Sequence, residues 1–207
     1  MVFIVNMKKK FFFKGLLCAV IVGLISVITI FAMSDKFASA RKIETNLENT
    51  IYLDLKDGRV VIRMLPNIAP KHCARIKELV RKGFYDGLTF HRVIEDFMAQ
   101  GGDPLGNGTG GSGKNIPAEF TTKYSHKRGA VSMARAQDIN SADSQFFIVL
   151  ADSTYLDGQY TIWGYVVDGM EFVDKIKKGD TIRNGLVDNP DKIIKMSVAS
   201  DVESGRK

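Results

Sequence analysis

From residue 51 onward, apolar and polar positions alternate in short runs bounded by glycine, proline and aspartate. Ile51, Leu53 and Leu55 alternate with Tyr52, Asp54 and Lys56, which predicts a strand with one buried face. Asp57-Gly58 predicts a tight hairpin, and Arg59 to Leu65 the returning strand. Pro66 and Pro70 precede a predicted helix. Cys73, Ile76, Leu79 and Val80 share its apolar face, Lys71, Arg75, Lys77, Arg81 and Lys82 the polar one, and Gly83 suits the position past its end. Further strands are predicted at Leu88–Val93, Phe97–Gln100, Ala130–Ala134, Gln145–Leu150, Thr161–Val167 and Lys192–Ala199, with a second short helix at Met170–Lys178. Many short strands and only two helices predict an all-β fold, a closed or nearly closed antiparallel barrel. Gly101 to Gly113 reads as one irregular loop, residues 41–50 as a linker, 51–200 as a single domain and 201–207 as a loose polar tail.

The first forty residues follow a different rule. Lys8, Lys9, Lys10 and Lys14 precede an apolar run, residues 15–33, in which Ser26 and Thr29 are the only polar side chains. Ala38-Ser39-Ala40 follows, an A-x-A step of the kind cut by signal peptidases. A basic head, an apolar middle and a small-residue end predict export, to a bacterial periplasm or cell envelope. Secretory signals carry about 7–15 apolar residues, whereas a spanning helix needs about 20. Two outcomes stay open: cleavage after Ala40, or retention as an inner-membrane anchor. Cys18 lies near the start of the apolar run, not after it, so it does not read as a lipid-attachment site.

The formal charge of +6 over 207 residues first suggests an anionic partner. The first forty residues carry +4 of it, leaving +2 for the rest, which excludes a nucleic-acid footprint. Three histidines and two cysteines are too few and too scattered for a zinc site. Two motifs in the glycine loop imitate nucleotide sites: Gly106-x-Gly108-x-x-Gly111 and Gly108-x-x-x-x-Gly113-Lys114. Both need a helix directly afterwards, and Asn115-Ile116-Pro117 stands there instead. Ser112 lacks the G-x-S-x-G setting of a hydrolase nucleophile. The loop reads instead as flexible backbone beside a groove.

The informative stretch runs from Phe84-Tyr85-Asp86-Gly87 through Phe90-His91-Arg92 and Phe97-Met98 to Gln100-Gly101-Gly102-Asp103. Ser132-Met133-Ala134, Ser144-Gln145-Phe146-Phe147-Ile148, Tyr155-Leu156-Asp157-Gly158 and Trp163-Gly164 follow in order. These blocks, spread over residues 47–199, resemble the cyclophilin family of peptidyl-prolyl cis–trans isomerases; Ala136 to Asp143 is similar to its bacterial branch. The resemblance implies an eight-stranded antiparallel barrel with a helix over each end. It implies Arg92 as the catalytic side chain, with Gln100 orienting it and contacting the substrate carbonyl. Phe97, Met98, Phe147 and Leu156 match the lining of the proline site, with Gln145 a polar residue there. Ala134 and Arg135 match a segment whose backbone pairs with the substrate, and His91 matches the histidine beside the arginine. Tyr155 stands where many members have Trp, Tyr160 where many have His, and Arg135 where Asn is common. Tyr155 lacks an indole N–H, which argues against strong cyclosporin binding.

An X–Pro amide has partial double-bond character, and rotation about it faces a barrier of about 18–20 kcal/mol. Rotation needs no nucleophile, metal or redox group, so no cofactor and no nucleotide are expected. In the twisted state the prolyl nitrogen can accept a hydrogen bond, which it cannot do when planar. A guanidinium placed against it binds that state preferentially. The expected partner is a proline-containing, unfolded or partly folded polypeptide, met by a monomer. A holdase using the same groove without turnover is the alternative. Taken singly, Phe97, Met98 and Phe147 read as core residues, Phe146 as core on the opposite face, His91 as structural, and His72 and His126 as surface residues.

Overall fold

The computed structural model describes residues 46–205. Its eight strands are β1 (Thr50–Leu55), β2 (Gly58–Met64), β3 (Arg92–Ile94), β4 (Met98–Gly101), β5 (Ala130–Met133), β6 (Phe146–Val149), β7 (Ile162–Asp168) and β8 (Lys195–Val198). All pairings are antiparallel, in the order β3-β4-β6-β5-β7-β2-β1-β8. The helices are α1 (Pro70–Arg81), α2 (Met170–Asp174) and α3 (Ala199–Glu203). Residues 1–40, where the export signal is expected, lie outside the described residues, as do 41–45 of the expected linker; of its other half, 46–48 are helical and Thr50 already opens β1. Among the described residues no helix is long and apolar enough to cross a membrane.

The expected closed barrel is a half-barrel. β3 and β8 are sheet edges and do not pair with each other. Single bridges cross the gap, Thr89 to Lys192 and Arg92, at the start of β3, to Leu186 of the loop before β8. The reason is local: the stretch predicted as a strand from Leu88 spends its hydrogen bonds on loop partners. Leu88 N–H binds the Tyr85 carbonyl and Phe90 N–H that of Asp191, so regular pairing starts only at Arg92.

α1 begins with Pro70 at its first turn, where a missing N–H costs nothing. No side chain of its own caps it. Glu119 does so from a distant loop, accepting the N–H groups of Lys71 and His72 and facing His72 Nδ1 at 2.7 Å. Gly83, at φ +65°, ends the helix as its position predicted. α2 stops at Asp174, short of the expected Lys178. The start of the tail expected to be loose, 201–203, instead belongs to α3, tied down where Asp201 meets Arg81 and Ser200 donates to Glu48.

Strand alternation divides the side chains into two clusters. The main core gathers Ile51, Leu53, Ile62, Phe146, Ile148 and Trp163 with Ile76 of α1. A smaller cluster of Met98, Ala130, Phe147, Val149 and Leu156 lies on the other face, with Phe97, Tyr160 and Ala134 against it. Phe146 and Phe147 therefore point opposite ways, as expected, and the second cluster is where a site opens.

Candidate active site

Register builds the site. Arg92 of β3 stands opposite Gln100 of β4, Gln100 opposite Phe147 of β6, and Phe147 opposite Ser132 of β5. Four neighbouring strands thus set one row of side chains across the sheet. Met98, two residues before Gln100, shares that face. Loops add the remaining walls: Leu156 from a 3₁₀ turn, Tyr160 after it, and Ala134 and Arg135 beyond the end of β5. Together Arg92, Phe97, Met98, Gln100, Ala134, Arg135, Phe147, Leu156 and Tyr160 line a hollow of about 120 Å³. Tyr160 meets Phe147 edge-on at 5.7 Å, and the Arg135 guanidinium lies 4.8 Å over the Tyr160 ring.

One chain of hydrogen bonds fixes the polar edge. Arg92 Nη1 donates to Gln100 Oε1 at 3.2 Å, and Gln100 Nε2 donates to Gln145 Oε1 at 2.9 Å. Gln145 Nε2 donates to the carbonyls of Gly108 and Gly110 at 3.1 and 2.8 Å. Because the last two acceptors are backbone carbonyls, both amides can point only one way. Half-burial lowers the Arg92 pKa, yet the guanidinium stays charged.

The glycine loop was expected to be flexible; it is instead pinned. Asp103 is buried and accepts the N–H groups of Leu105, Asn107 and Gly108, which outweigh its desolvation and hold its carboxyl below the usual range. A Cβ at Gly110 would lie 2.1 Å from Asp103 Oδ1, and one at Gly111 would lie 2.5 Å from Asp143 Oδ2. Close packing on two carboxylates explains these glycines. Ser112 joins Asp143 to Arg75 of α1. The loop forms one side of a second hollow of about 260 Å³, which shares Gln100, Ala134 and Arg135 with the first and is bordered by Gln145.

Three expected site residues stand off the first hollow; Gln145 is one, bordering the second hollow and reaching the first only through Gln100. His91 is 3% exposed and does not line it; neither ring nitrogen makes a well-aligned hydrogen bond, and burial lowers its pKa. Tyr155 is 63% exposed and leans against Phe97 at 6.0 Å, outside the lining. Two expected surface histidines are fully buried. His72 belongs to the α1 cap. His126 lies under the site, stacked on Phe147 at 6.1 Å, with Nδ1 2.8 Å from Asp157 Oδ1 and Nε2 3.1 Å from Ser132 Oγ. Asn184, on the loop before β8, meets Arg92 directly: Nε donates to its carbonyl and Nη2 to its Oδ1, both at 3.0 Å. The only sequence signals for these were an Asn-Gly turn step and a polar Ser-His-Lys-Arg run, and the run points to the surface.

The family described as "Cyclophilin type peptidyl-prolyl cis-trans isomerase/CLD" matches residues 50–198. A "Probable peptidyl-prolyl cis-trans isomerase" of Brucella suis is 54% identical over 168 residues, covering 75% of this chain and 85% of its own. "Peptidyl-prolyl cis-trans isomerase B" of Bacillus subtilis is 42% identical over 141 residues, 67% of this chain and 98% of its own. Among solved structures, a cyclophilin-type isomerase of Cryptosporidium parvum, crystallised in the presence of the dipeptide Ala-Pro, superposes with a TM-score of 0.67 at 28% identity. That match covers 72% of this chain and 98% of that one. The cyclophilin AquaCyp293 of Hirschia baltica superposes with the same score and identity over 75% of each chain. With its half-barrel, ordered sequence blocks and Arg92-edged apolar hollow in agreement, the chain belongs to the cyclophilin-type peptidyl-prolyl cis–trans isomerase family.

Proposed function

We propose that this isomerase accelerates rotation about Xaa–Pro bonds in exported polypeptides, with Arg92 as the catalytic residue. The observation that carries the reading is the cross-strand row that sets the Arg92 guanidinium at the edge of an apolar hollow of about 120 Å³. Phe97, Met98, Phe147 and Leu156 grip the proline ring and exclude water, and Tyr160 closes the side. Gln100 holds the guanidinium and contacts the substrate carbonyl. Ala134 and Arg135 present backbone to the substrate chain, and Gln145 supports Gln100. The Cryptosporidium protein's crystallisation with Ala-Pro supports a ligand of this size and chemistry.

The mechanism follows from what changes on rotation. Arg92 meets little at the nitrogen of a planar amide and a lone pair when the amide is twisted. An interaction made only in the twisted state lowers the barrier. A hydrogen bond to a charged group contributes about 1.5–3 kcal/mol, or about ten- to a few-hundredfold in rate. Holding the ring in a dry hollow supplies the rest. The basic head, apolar run and Ala38-Ser39-Ala40 step support export to the bacterial envelope.

Exchange spectroscopy on an Ala–Pro peptide tests the activity. The protein should speed cis–trans exchange, and Arg92→Ala should lose about ten- to a few-hundredfold while its circular dichroism is unchanged. Equal rates for the two proteins overturn the assignment.

A further inference from the structure

Asn184 is one of three non-glycine residues with positive φ among those described, at +54°. Such a backbone is uncommon outside glycine and is kept where the surroundings require it. Its turn is closed on itself: Gly185 N–H donates to the Asp180 carbonyl at 2.7 Å, and Asp180 N–H to that of Leu186 at 3.0 Å. The turn is also tied to β3, because Val93 N–H donates to the Gly185 carbonyl at 2.8 Å and Gly179 N–H to that of Val93 at 2.9 Å. The left-handed conformation has a visible consequence. The carbonyl and Oδ1 of the same residue both reach the Arg92 guanidinium, one at Nε and one at Nη2.

A guanidinium has five N–H donors in a rigid plane. Asn184 takes two and Gln100 a third, from the Nη1 side. One donor on each terminal nitrogen is left, and Met98 Sδ approaches Nη1 only weakly, at 3.9 Å. Held through all three nitrogens, the plane can neither tilt nor slide. We propose that Asn184 is a positioning residue for the isomerisation, a left-handed clamp that aims the remaining Arg92 donors at the prolyl nitrogen. Nothing in the sequence blocks marks it, and its contacts are to Arg92 rather than to the hollow. The inference rests on the reading of Arg92 as the catalytic group.

A double-mutant cycle tests it. Asn184→Gly keeps the left-handed backbone at no steric cost and deletes the side-chain amide, so that of the two contacts to Arg92 the carbonyl stays and the one at Oδ1 is lost. The rate constant for catalysed exchange of an Ala–Pro peptide should fall about tenfold, as expected for a lost charge-assisted hydrogen bond, with the peptide's Kd changed less than about twofold. In an Arg92→Ala background the same substitution should do nothing beyond about twofold, because its effect passes through Arg92. Asn184→Asp, which keeps an acceptor at Oδ1, should retain more rate than Asn184→Gly. The Arg92 Nη2–H resonance should shift in Asn184→Gly and return toward its place in Asn184→Asp, while Nε–H, bonded to the retained carbonyl, moves less; this readout stands even where a variant is less stable. A wild-type rate for Asn184→Gly, or an equal loss in both backgrounds, overturns the inference. A full rate for Arg92→Ala alone overturns the assignment of Arg92 instead, so the two failures are distinguishable.

Discussion

Arg92 is gripped by two amide side chains and a backbone carbonyl, so its donors are aimed before a substrate arrives. The far end of that grip is Gln145, whose amide rests on the Gly108 and Gly110 carbonyls. Gln145→Ala should therefore act at two levels. Releasing Gln100 should lower kcat/KM several-fold, and the unpaired carbonyls should cost about 1–3 kcal/mol of stability. Peptide exchange and urea unfolding check the two effects separately; a change in neither contradicts the chain of bonds. Arg92, Gln100 and Phe147 were legible as a set because ordered motifs carry them. Asn184 was not, because an Asn-Gly step specifies only a turn, and whether that turn meets an arginine 92 positions away is a matter of tertiary closure. His126 misled for a related reason. Ser, Lys and Arg flank it, yet its own ring turns inward to Asp157 and Ser132. Local polarity predicts exposure of a run, not of each member.

At the level of elements, strand register does most of the positioning and the glycine loop does the rest. Gly110 and Gly111 of the loop are fixed by contact, so Gly110→Ala should cost about 1–3 kcal/mol through overpacking against Asp103, seen as a lower thermal midpoint. An unchanged midpoint contradicts the pinned loop. The buried histidines give a second, independent signature. Burial holds the pKa values of His72, His91 and His126 below the ordinary 6.5, against the pull of Glu119, Asp103 and Asp157. The unfolded chain thus binds more protons than the folded one as pH falls below about 6.5. Stability from these residues is fully present above that pH and is lost as pH drops through their folded values. The thermal midpoint should be level above about pH 7.5 and fall from about pH 6.5 downward; a midpoint that stays level to pH 5 contradicts the burial of neutral histidines. Periodicity located every strand to within a few residues, except at β3. There the chain from Leu88 is extended without pairing regularly, and alternation alone cannot tell the two apart.

For the whole molecule, the half-barrel places one apolar cluster inside the sheet and a smaller one outside it, and the outer cluster becomes the hollow. Short antiparallel strands were legible in the sequence, but closure was not. Whether β3 and β8 pair depends on loops that fill the gap between them, and no periodicity encodes that. Under the export proposed above, the N-terminal forty residues would set where the enzyme works. N-terminal sequencing of the cell-envelope protein should give Arg41 if the Ala38-Ser39-Ala40 step is cut, and the anchored form should stay with the membranes. A chain found only in the cytoplasm contradicts export. The central claim is that Arg92 favours the twisted amide over either planar form. The measurement that tests it most directly compares peptide affinity with catalysed exchange in wild type and Arg92→Ala, on one Ala–Pro peptide, by nuclear magnetic resonance. The account predicts that Kd changes less than about threefold while the exchange rate falls by at least about tenfold. Affinity and rate falling by the same factor would mean that Arg92 binds the ground state, and the mechanism would be wrong.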